Sequence, residues 1–446
     1  MSIYKDCDIR GVYPGEIDET DARAVGRALA TLHPGAKMAV GGDVRVSTPA
    51  LKSAFIDGLV DSGARVTDIG TVPTPVLYWA LANLDVQGGA TVTASHNPPK
   101  YNGIKFMFDG TPVNRQIMNA VQAAVKGGAF AGEKGSVEAR DILPAYMDGL
   151  AERFHISRSL KVVVDAGNGV MGPVAPQVLR RCGCEVVELF CEPDGRFPNR
   201  DPNPAEYSHL SAVCARTAAE GADFGVAFDG DGDRAVFVDE TGRAVMNEKS
   251  LVLFIRHLLK NHPTPVVYDQ KSSSVIRRAV LAMGGTPVPE RSGHAFIKRR
   301  FLEVGAAIAG EVSGHFFFGE LGYDDGLFAA LTMAELLAGS DRPLSALAGE
   351  IACPPITPDL RVHCPYDQQQ IWLDRVEALA EGRDCAVSHM DGVRLEFADG
   401  WLLMRKSVTA EQITLRAEAE TPERLRALLE LVASVLPEEA ARELLR

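Results

Sequence analysis

Three observations predict an α/β protein of several domains. Strand-like runs alternate with helix-like runs through most of the chain. Three strand ends run into unusually polar, glycine-bearing loops, and open α/β sheets place ligands at the carboxyl ends of their strands. The last stretch, about ninety residues long, instead reads as short alternating strands separated by Asp-Gly turns, the pattern of a smaller α+β unit. With 446 residues, a prior of roughly 150 per domain gives three domains, or four if they are small.

Each element follows from local pattern. "AKMAVGGDVR" reads as strand and turn, followed by a helix with Leu51, Phe55 and Leu59 at four-residue spacing. "ARVTDIG" is a strand, "PVLYWALANL" a helix, and "ATVTASHNP" a strand running into a loop. A second unit opens with "KVVVDAGNGV", continues through a helix near 173–183 and the strand "CEVVELF", and ends in "ADFGVAFDGDGDR". A third holds the helix "LVLFIRHLLK", the strand "PVVYDQ", helices near 273–283 and 294–304, and then "AAIAGEVSGHFFF". The proline-rich "CPPITPD", 353–359, marks the passage to the last unit. There "GVRLEF", "GWLLMR" and "QITLRAEA" are strands, turns lie at 391–392 and 399–400, and helices near 366–381 and 422–435 flank them. The expected divisions are 1–140, 141–241, 242–354 and 355–446.

Composition narrows the function. A hydrophobic content of 46% supports several packed cores, and a net charge of −13 argues against a nucleic-acid partner. No apolar run reaches transmembrane length, and "MSIYKDCDIRG" has no signal-peptide apolar region. Eight scattered cysteines include no C-x-x-C pair, which suits reduced thiols in a cytoplasmic protein.

The strongest chemical signal is "FGVAFDGDGDRAVFVDETG". Asp229, Asp231 and Asp233 alternate with glycines, and three carboxylates so close repel one another unless a cation sits among them. Hard oxygen ligands suit Mg²⁺ or a similar ion. An EF-hand loop also begins Asp-x-Asp-x-Asp, with Glu240 at its twelfth position, but Arg234 stands where that loop requires glycine and both flanks are strand-like. A plain acidic turn is the remaining alternative, although a hydrophobic strand feeding three aligned aspartates is unusual for one.

Three further stretches carry polar groups in patterns that suit ligands. In "TVTASHNPPKYNGIKF", Ser95 follows a β-branched run and precedes a stiff His-Asn-Pro-Pro turn, which should present its hydroxyl. In "GEVSGHFFFGELGYDDG", Glu311 can accept sugar hydroxyls beside Ser313, and His315 can move a proton. In "RKSVTAEQITLRAEA", Arg405 with Ser407 and Thr409, and Arg416 on the next strand, make a workable phosphate cradle. His294 in "RSGHAFIK" begins a helix and could meet an anion there, or could simply lie at the surface. Taken singly, each stretch is also compatible with an ordinary turn or a charged surface strand.

Together, "CDIRG", "TASHNP", "DGDGDR", "GEVSGH" and "RKSVT…LRAEA", in this order, resemble the α-D-phosphohexomutase superfamily, in particular bacterial phosphomannomutase/phosphoglucomutase. The resemblance covers nearly the whole chain. It implies three related α/β domains with mixed sheets and a fourth α+β domain resembling the TATA-binding-protein fold, around a central cleft. It implies small-molecule hexose phosphates as substrates and a hexose 1,6-bisphosphate as intermediate and activator. It further implies that Ser95 is carried as a phosphoserine, with Mg²⁺ held by Asp229, Asp231, Asp233 and that phosphoserine. By the same resemblance, Arg10 and Arg234 meet the transferring phosphoryl group, and Lys105 and His315 handle protons. Glu311 and Ser313 contact sugar hydroxyls. Arg405, Ser407, Thr409 and Arg416 grip the other phosphate, with His294 and Lys271 as further contacts.

Departures and rivals are also visible. Val408 stands where the family has Asn or Gly, Ala410–Glu411–Gln412 replaces its usual Glu-Pro, and Cys7–Asp8 replaces the tyrosine often seen before "DIRG". Phosphoglucosamine mutases share the mechanism but carry a polar residue where Val312 stands, so this loop tilts toward mannose and glucose phosphates. A Mg²⁺-dependent sugar phosphatase of the haloacid-dehalogenase type would need an Asp-x-Asp-x-Thr signature. A non-enzymatic sugar-phosphate sensor would not need Ser95 and three metal aspartates together. Oligomeric state is not encoded in any of these features.

Overall fold

The computed structural model describes residues 2–128, 133–260, 262–406 and 411–445. Four sheets follow one another along the chain. The first three are mixed, and they repeat one construction. In the first, Gly88–Val92 runs parallel to Lys37–Gly42 and pairs antiparallel with Tyr101–Phe108, with Val92 opposite Ile104. In the second, Phe224–Phe228 runs parallel to Lys161–Asp165 and antiparallel to Ala235–Asp239. In the third, Ile308–Gly310 runs parallel to Pro265–Asp269 and antiparallel to Phe316–Phe318. Every loop singled out in these three units therefore lies at the carboxyl end of a central strand, where the sheet changes from parallel to antiparallel pairing. One structural position, used three times, aims Ser95, the three aspartates and Glu311–His315 in the same sense.

The strands form because both faces of these sheets are covered. Val162, Val163 and Val164, and all of Phe224–Phe228, are buried, which is why they read as continuous apolar runs rather than alternating ones. The helix Thr48–Asp61 buries Leu51, Phe55 and Leu59, the face expected from their spacing. One apolar cluster runs unbroken through the three units, from Val76 through Tyr146, Val164 and Phe228 to Phe254 and Phe316. Within it, Phe254 meets Phe316 edge-on with ring centroids 5.1 Å apart.

The fourth sheet is wholly antiparallel, in the order Leu360–His363, Gln412–Ala419, Gly400–Lys406, Val393–Phe397, Cys385–Ser388. Helices Gln369–Ala378, Pro422–Ala433 and Glu438–Leu444 accompany it, the third of them not expected from the sequence. Its core is a separate cluster around Val362, Trp372, Leu402, Ile413 and Leu428. All eight cysteines are free thiols. Among the described residues, no helix is long and apolar enough to cross a membrane.

Candidate active site

Ser95 follows the strand Gly88–Val92 in a left-handed conformation, φ +49°, which a non-glycine residue adopts at a cost and which recurs at functional sites. Contrary to the expectation of an exposed turn, its hydroxyl is not displayed to solvent: Ser95 is 1% exposed and lines the inner wall of the cleft. The reason is the second sheet, which closes over it. Ser95 Oγ donates to Asp229 Oδ2 at 2.8 Å. Gly230 makes this approach possible, because a Cβ there would stand 2.6 Å from the Ser95 carbonyl oxygen. Arg45, fully buried, holds the loop from beneath. Its guanidinium donates to the carbonyls of Ser95, Asn97, Pro98 and Tyr101, and pairs with Asp43 at 3.0 Å. Sequence reading missed Arg45, since nothing in "VGGDVR" distinguishes it from a surface arginine.

Asp229, Asp231 and Asp233 are completely buried, and each offers a ligand oxygen within 4.8 Å of the others. Thr74 from the first domain donates to Asp231 Oδ2 at 2.7 Å. Lys105 Nζ bridges Asp231 and Asp233 at 2.8 Å each. Burial, together with the charges of Asp233 and Asp231, pushes the Asp229 carboxyl well up. Burial would also raise Asp231, but the Lys105 ammonium outweighs it and holds that carboxyl low. Burial alone would lower Lys105, yet Asp231 and Asp233 raise it overall, so it stays protonated. Among the described residues, Asp231 Oδ1 and Asp233 Oδ1 are buried with no hydrogen-bond partner. Orphaned carboxylate oxygens are costly in a dry site, and three carboxylates in a glycine-rich loop, two of them with an orphaned oxygen, fit a hard divalent cation.

Beside this cluster, His315 Nδ1 lies 2.9 Å from Asp324 Oδ2, and Arg234 Nε donates to His315 Nε2 at 3.0 Å. These contacts assign the neutral tautomer with its proton on Nδ1 and leave Nε2 as the acceptor. Burial works against charging His315, but Asp233 and the Asp324 bond outweigh it and raise the ring's affinity for a proton. His294 is drawn into the same network and binds Asp324 through Nε2 at 2.8 Å, so it is a cleft residue and not a free surface histidine. Asp324 went unnoticed in the sequence, where "YDDG" looks like a turn. Arg10 lines the cleft with Nη1 on Asn97 at 2.8 Å and a buried Nε that has no hydrogen-bond partner among the described residues. Lys298, also missed, sits over the Tyr78 ring at 3.5 Å from its centroid, and burial pushes its ammonium down to about 8.

The grip side is looser. Ser313 Oγ donates to Glu311 Oε2 at 3.0 Å, while Glu311 Oε1 is buried with no hydrogen-bond partner among the described residues. Arg405 lines the cleft and reaches Asp391 at 3.2 Å. Lys271 pairs with Asp359 at 2.8 Å, and Arg416 is buried against Glu248 at 2.8 Å, so these two face carboxylates rather than the cavity wall. Ser407 and Thr409, with Val408 between them, lie outside the described residues. The cavity that Ser95, Lys105, Arg10, Arg234, His294, His315, Lys298 and Arg405 share has a volume of about 340 Å³, room for a small polar ligand.

Family models described as "Phosphoglucomutase/phosphomannomutase, alpha/beta/alpha domain" I, II and III match residues 1–131, 144–242 and 247–353. The chain belongs to this family. It is 37% identical over 434 residues to a phosphomannomutase/phosphoglucomutase of Pseudomonas aeruginosa, covering 95% of this chain and 93% of that one. A probable phosphoglucosamine mutase of Methanopyrus kandleri is 36% identical over 416 residues, covering 91% of both. Among solved structures, a phosphoglucomutase/phosphomannomutase family protein from Burkholderia thailandensis superposes with a TM-score of 0.91 at 36% identity, covering 99% of this chain and 97% of that one.

Proposed function

We propose that this family member interconverts hexose 1-phosphates and hexose 6-phosphates, of mannose, glucose or both, through a phosphoserine at Ser95 and a hexose 1,6-bisphosphate intermediate. The observation that carries the reading is the 2.8 Å bond from Ser95 Oγ to Asp229 within a cluster of three buried carboxylates. A serine that only filled a turn would not be held in a left-handed conformation against a metal-type site from another domain.

In the first half-reaction the free hydroxyl oxygen of the sugar phosphate attacks phosphorus, the bond from phosphorus to Ser95 Oγ breaks, and Oγ keeps the electron pair and takes up a proton from water to return to the hydroxyl that donates to Asp229. The hydroxyl proton passes to a base, and His315 Nε2 is the acceptor suited to receive it, oriented by Asp324 through Nδ1. Arg234 withdraws from that nitrogen to the phosphoryl oxygens, where Arg10 joins it. Lys105, kept charged by its two carboxylates, donates hydrogen bonds and cannot serve as the base while so paired. The bisphosphate then turns over in the cleft and returns its other phosphoryl group to Ser95. Mg²⁺ bound by Asp229, Asp231, Asp233 and the phosphorylated Ser95 would offset charge on the transferring group. Glu311 and Ser313 hold ring hydroxyls, and the other phosphate rests on Arg405 with Ser407 and Thr409. Lys271 and Arg416 reach it if they leave Asp359 and Glu248.

Intact-mass spectrometry tests the reading directly. The native chain carries one phosphate adduct, and Ser95→Ala lacks it; an adduct that survives the substitution removes Ser95 from the mechanism. Parallel assays on mannose 1-phosphate, glucose 1-phosphate and glucosamine 1-phosphate identify the sugar, with the first two expected to be preferred because Val312 offers no polar side chain.

A further inference from the structure

One segment, residues 291–298, lines the cleft and is anchored at both of its sides. At its start the Ser292 N–H donates to Asp391 Oδ2 at 3.2 Å, and Asp391 is the carboxylate that Arg405 holds. Two residues on, His294 opens the helix His294–Val304 and binds Asp324 at 2.8 Å, the carboxylate that orients His315. The segment therefore runs from the phosphate-gripping side to the chemical side.

Two cations of this segment, Arg291 and Lys298, line the cavity. Arg10, Lys105 and Arg405 each pair with a carboxylate, whereas among the described residues Arg291 and Lys298 pair with none. Each rests on an aromatic ring instead. The Arg291 guanidinium lies over Phe296, 4.0 Å from its centroid, and the Lys298 ammonium lies over Tyr78, a ring supplied by the first domain. A ring face holds a cation in place without offering an acceptor that competes for its N–H groups. Lys298 is 3% exposed, yet its Nζ is not sealed: it makes no hydrogen bond among the described residues and opens on the cavity. The Arg291 Nε is sealed, but its two Nη groups are open and also unbonded among the described residues. The charges of Asp324 and Asp233 favour the protonated form of Lys298 against burial.

We propose that Arg291 and Lys298 retain the bisphosphate while it turns over, holding its phosphate groups when neither side of the cleft does. This rests on the mutase reading above. A turning bisphosphate has left both sides at once, and the cations there close back onto their carboxylates. Arg291 and Lys298 need give up no carboxylate to take a phosphate oxygen, and they lie on the wall that joins the two sides.

The test loads Ser95 from radiolabelled hexose 1,6-bisphosphate and then adds excess unlabelled glucose 1-phosphate or mannose 1-phosphate. The readout is the ratio of free labelled bisphosphate to labelled 6-phosphate product. Arg291→Gln and Lys298→Met should each raise this ratio on the order of tenfold, and the double variant further. Arg291→Lys and Lys298→Arg, which keep the charge, should stay within about twofold of the native chain. Saturating added bisphosphate should restore steady-state turnover in the neutral variants, which a general structural defect would not allow. Circular dichroism checks the fold, and the partly exposed Arg291 keeps the test open if Lys298→Met unfolds. A native chain that passes no label from Ser95 to sugar removes the mutase reading and retention with it. A native chain that passes label, beside neutral variants whose ratio is unmoved, overturns retention alone. Folded neutral variants that pass no label at all would place these cations in the transfer step and also overturn it.

Discussion

The two ends of the cleft are built differently. At the Ser95 end, the charged groups are buried and locked across domains: Ser95 to Asp229, Thr74 to Asp231, Lys105 to Asp231 and Asp233. Behind them runs an apolar cluster continuous through three sheets. At the Arg405 end, the cations sit on carboxylates that a ligand could displace: Arg405 on Asp391, Lys271 on Asp359, Arg416 on Glu248. The fourth domain that carries two of these arginines has its own core, and Arg416 to Glu248 and Arg394 to the Gln270 carbonyl are polar contacts across that junction. A rigid chemical end and an exchangeable gripping end suit a reaction that must keep one reacting centre fixed while a bisphosphate turns over. Preorganised charge at the reacting centre lowers a barrier without reorganisation, whereas a grip that must release and re-form cannot be locked.

The comparison is broken most easily at the rigid end. Ser95→Ala should reduce turnover by on the order of 10³-fold or more, since Ser95 Oγ is the hydroxyl held against the carboxylate cluster. Its fold should persist, because one hydrogen bond contributes only about 1 kcal/mol. Wild-type turnover by this variant, without added bisphosphate, would place the chemistry elsewhere. Asp231→Asn should weaken Mg²⁺ binding at least tenfold by calorimetry and leave Lys105 with one carboxylate partner instead of two. Undiminished Mg²⁺ affinity, or full activity in chelator with metal verified absent, would contradict the assignment of these aspartates.

The difference between the ends also explains what could be read in the sequence. The chemical end was legible because its key groups are contiguous: "DGDGDR" and "TASHNP" each sit at one strand end, and close spacing of like charges is a signal in itself. Fold class was legible for the same reason, from buried parallel strands written as unbroken apolar runs. Arg45 and Asp324 were not, because their roles arise only when distant segments meet. Arg45 lies fifty residues before the carbonyl it holds, and Asp324 looks like half of a turn until His294 and His315 close on it. The burial of Ser95 was misjudged because a single loop does not show the second domain that covers it. At the gripping end each partner of an ion pair comes from a different segment, so no local pattern exists to read.

Arg405→Ala addresses that end. One site must hold a phosphate on carbon 1 and later one on carbon 6, and a guanidinium recognises phosphate oxygens irrespective of the carbon. Both positional isomers should therefore weaken by similar factors, on the order of 10–100-fold for a lost charge-assisted contact, with more bisphosphate released per turnover. A large loss for one isomer and none for the other would end the shared-site argument.

Lys298 lies between the two regimes, buried in the cleft yet, among the described residues, not paired to a carboxylate. Burial lowers its affinity for a proton, opposed by Asp324 and Asp233, to a value of about 8. Its charge is present below that pH and lost above it, so kcat/KM should fall as pH rises past about 8. Lys298→Arg, which stays charged, should remove this limb. Because the folded value lies below the ordinary one, the unfolded chain binds more protons between the two, and this residue's contribution to stability should rise with pH across that window. An unchanged alkaline limb in Lys298→Arg would assign it to another group.

The smallest effect expected is at Asp391, and its sign is the sharpest test of an exchangeable grip. Its Oδ2 accepts from Arg405 Nη1 and from the Ser292 N–H, both at 3.2 Å, so it holds Arg405 in place between ligands and ties the turn to the third domain. A partly exposed pair of this kind contributes about 0–1 kcal/mol. If the carboxylate only competes with phosphate for Arg405, Asp391→Ala should lower KM for both positional isomers by up to about fivefold. kcat should change little or fall slightly as the bound phosphate leaves more slowly. The double variant Asp391→Ala with Arg405→Ala should then match Arg405→Ala alone, because a competitor has no effect once its target is gone. A KM that rises more than about tenfold in Asp391→Ala would mean that Arg405 needs this carboxylate to face the ligand at all. The gripping end would then be as preorganised as the chemical end, and the contrast between them would fail.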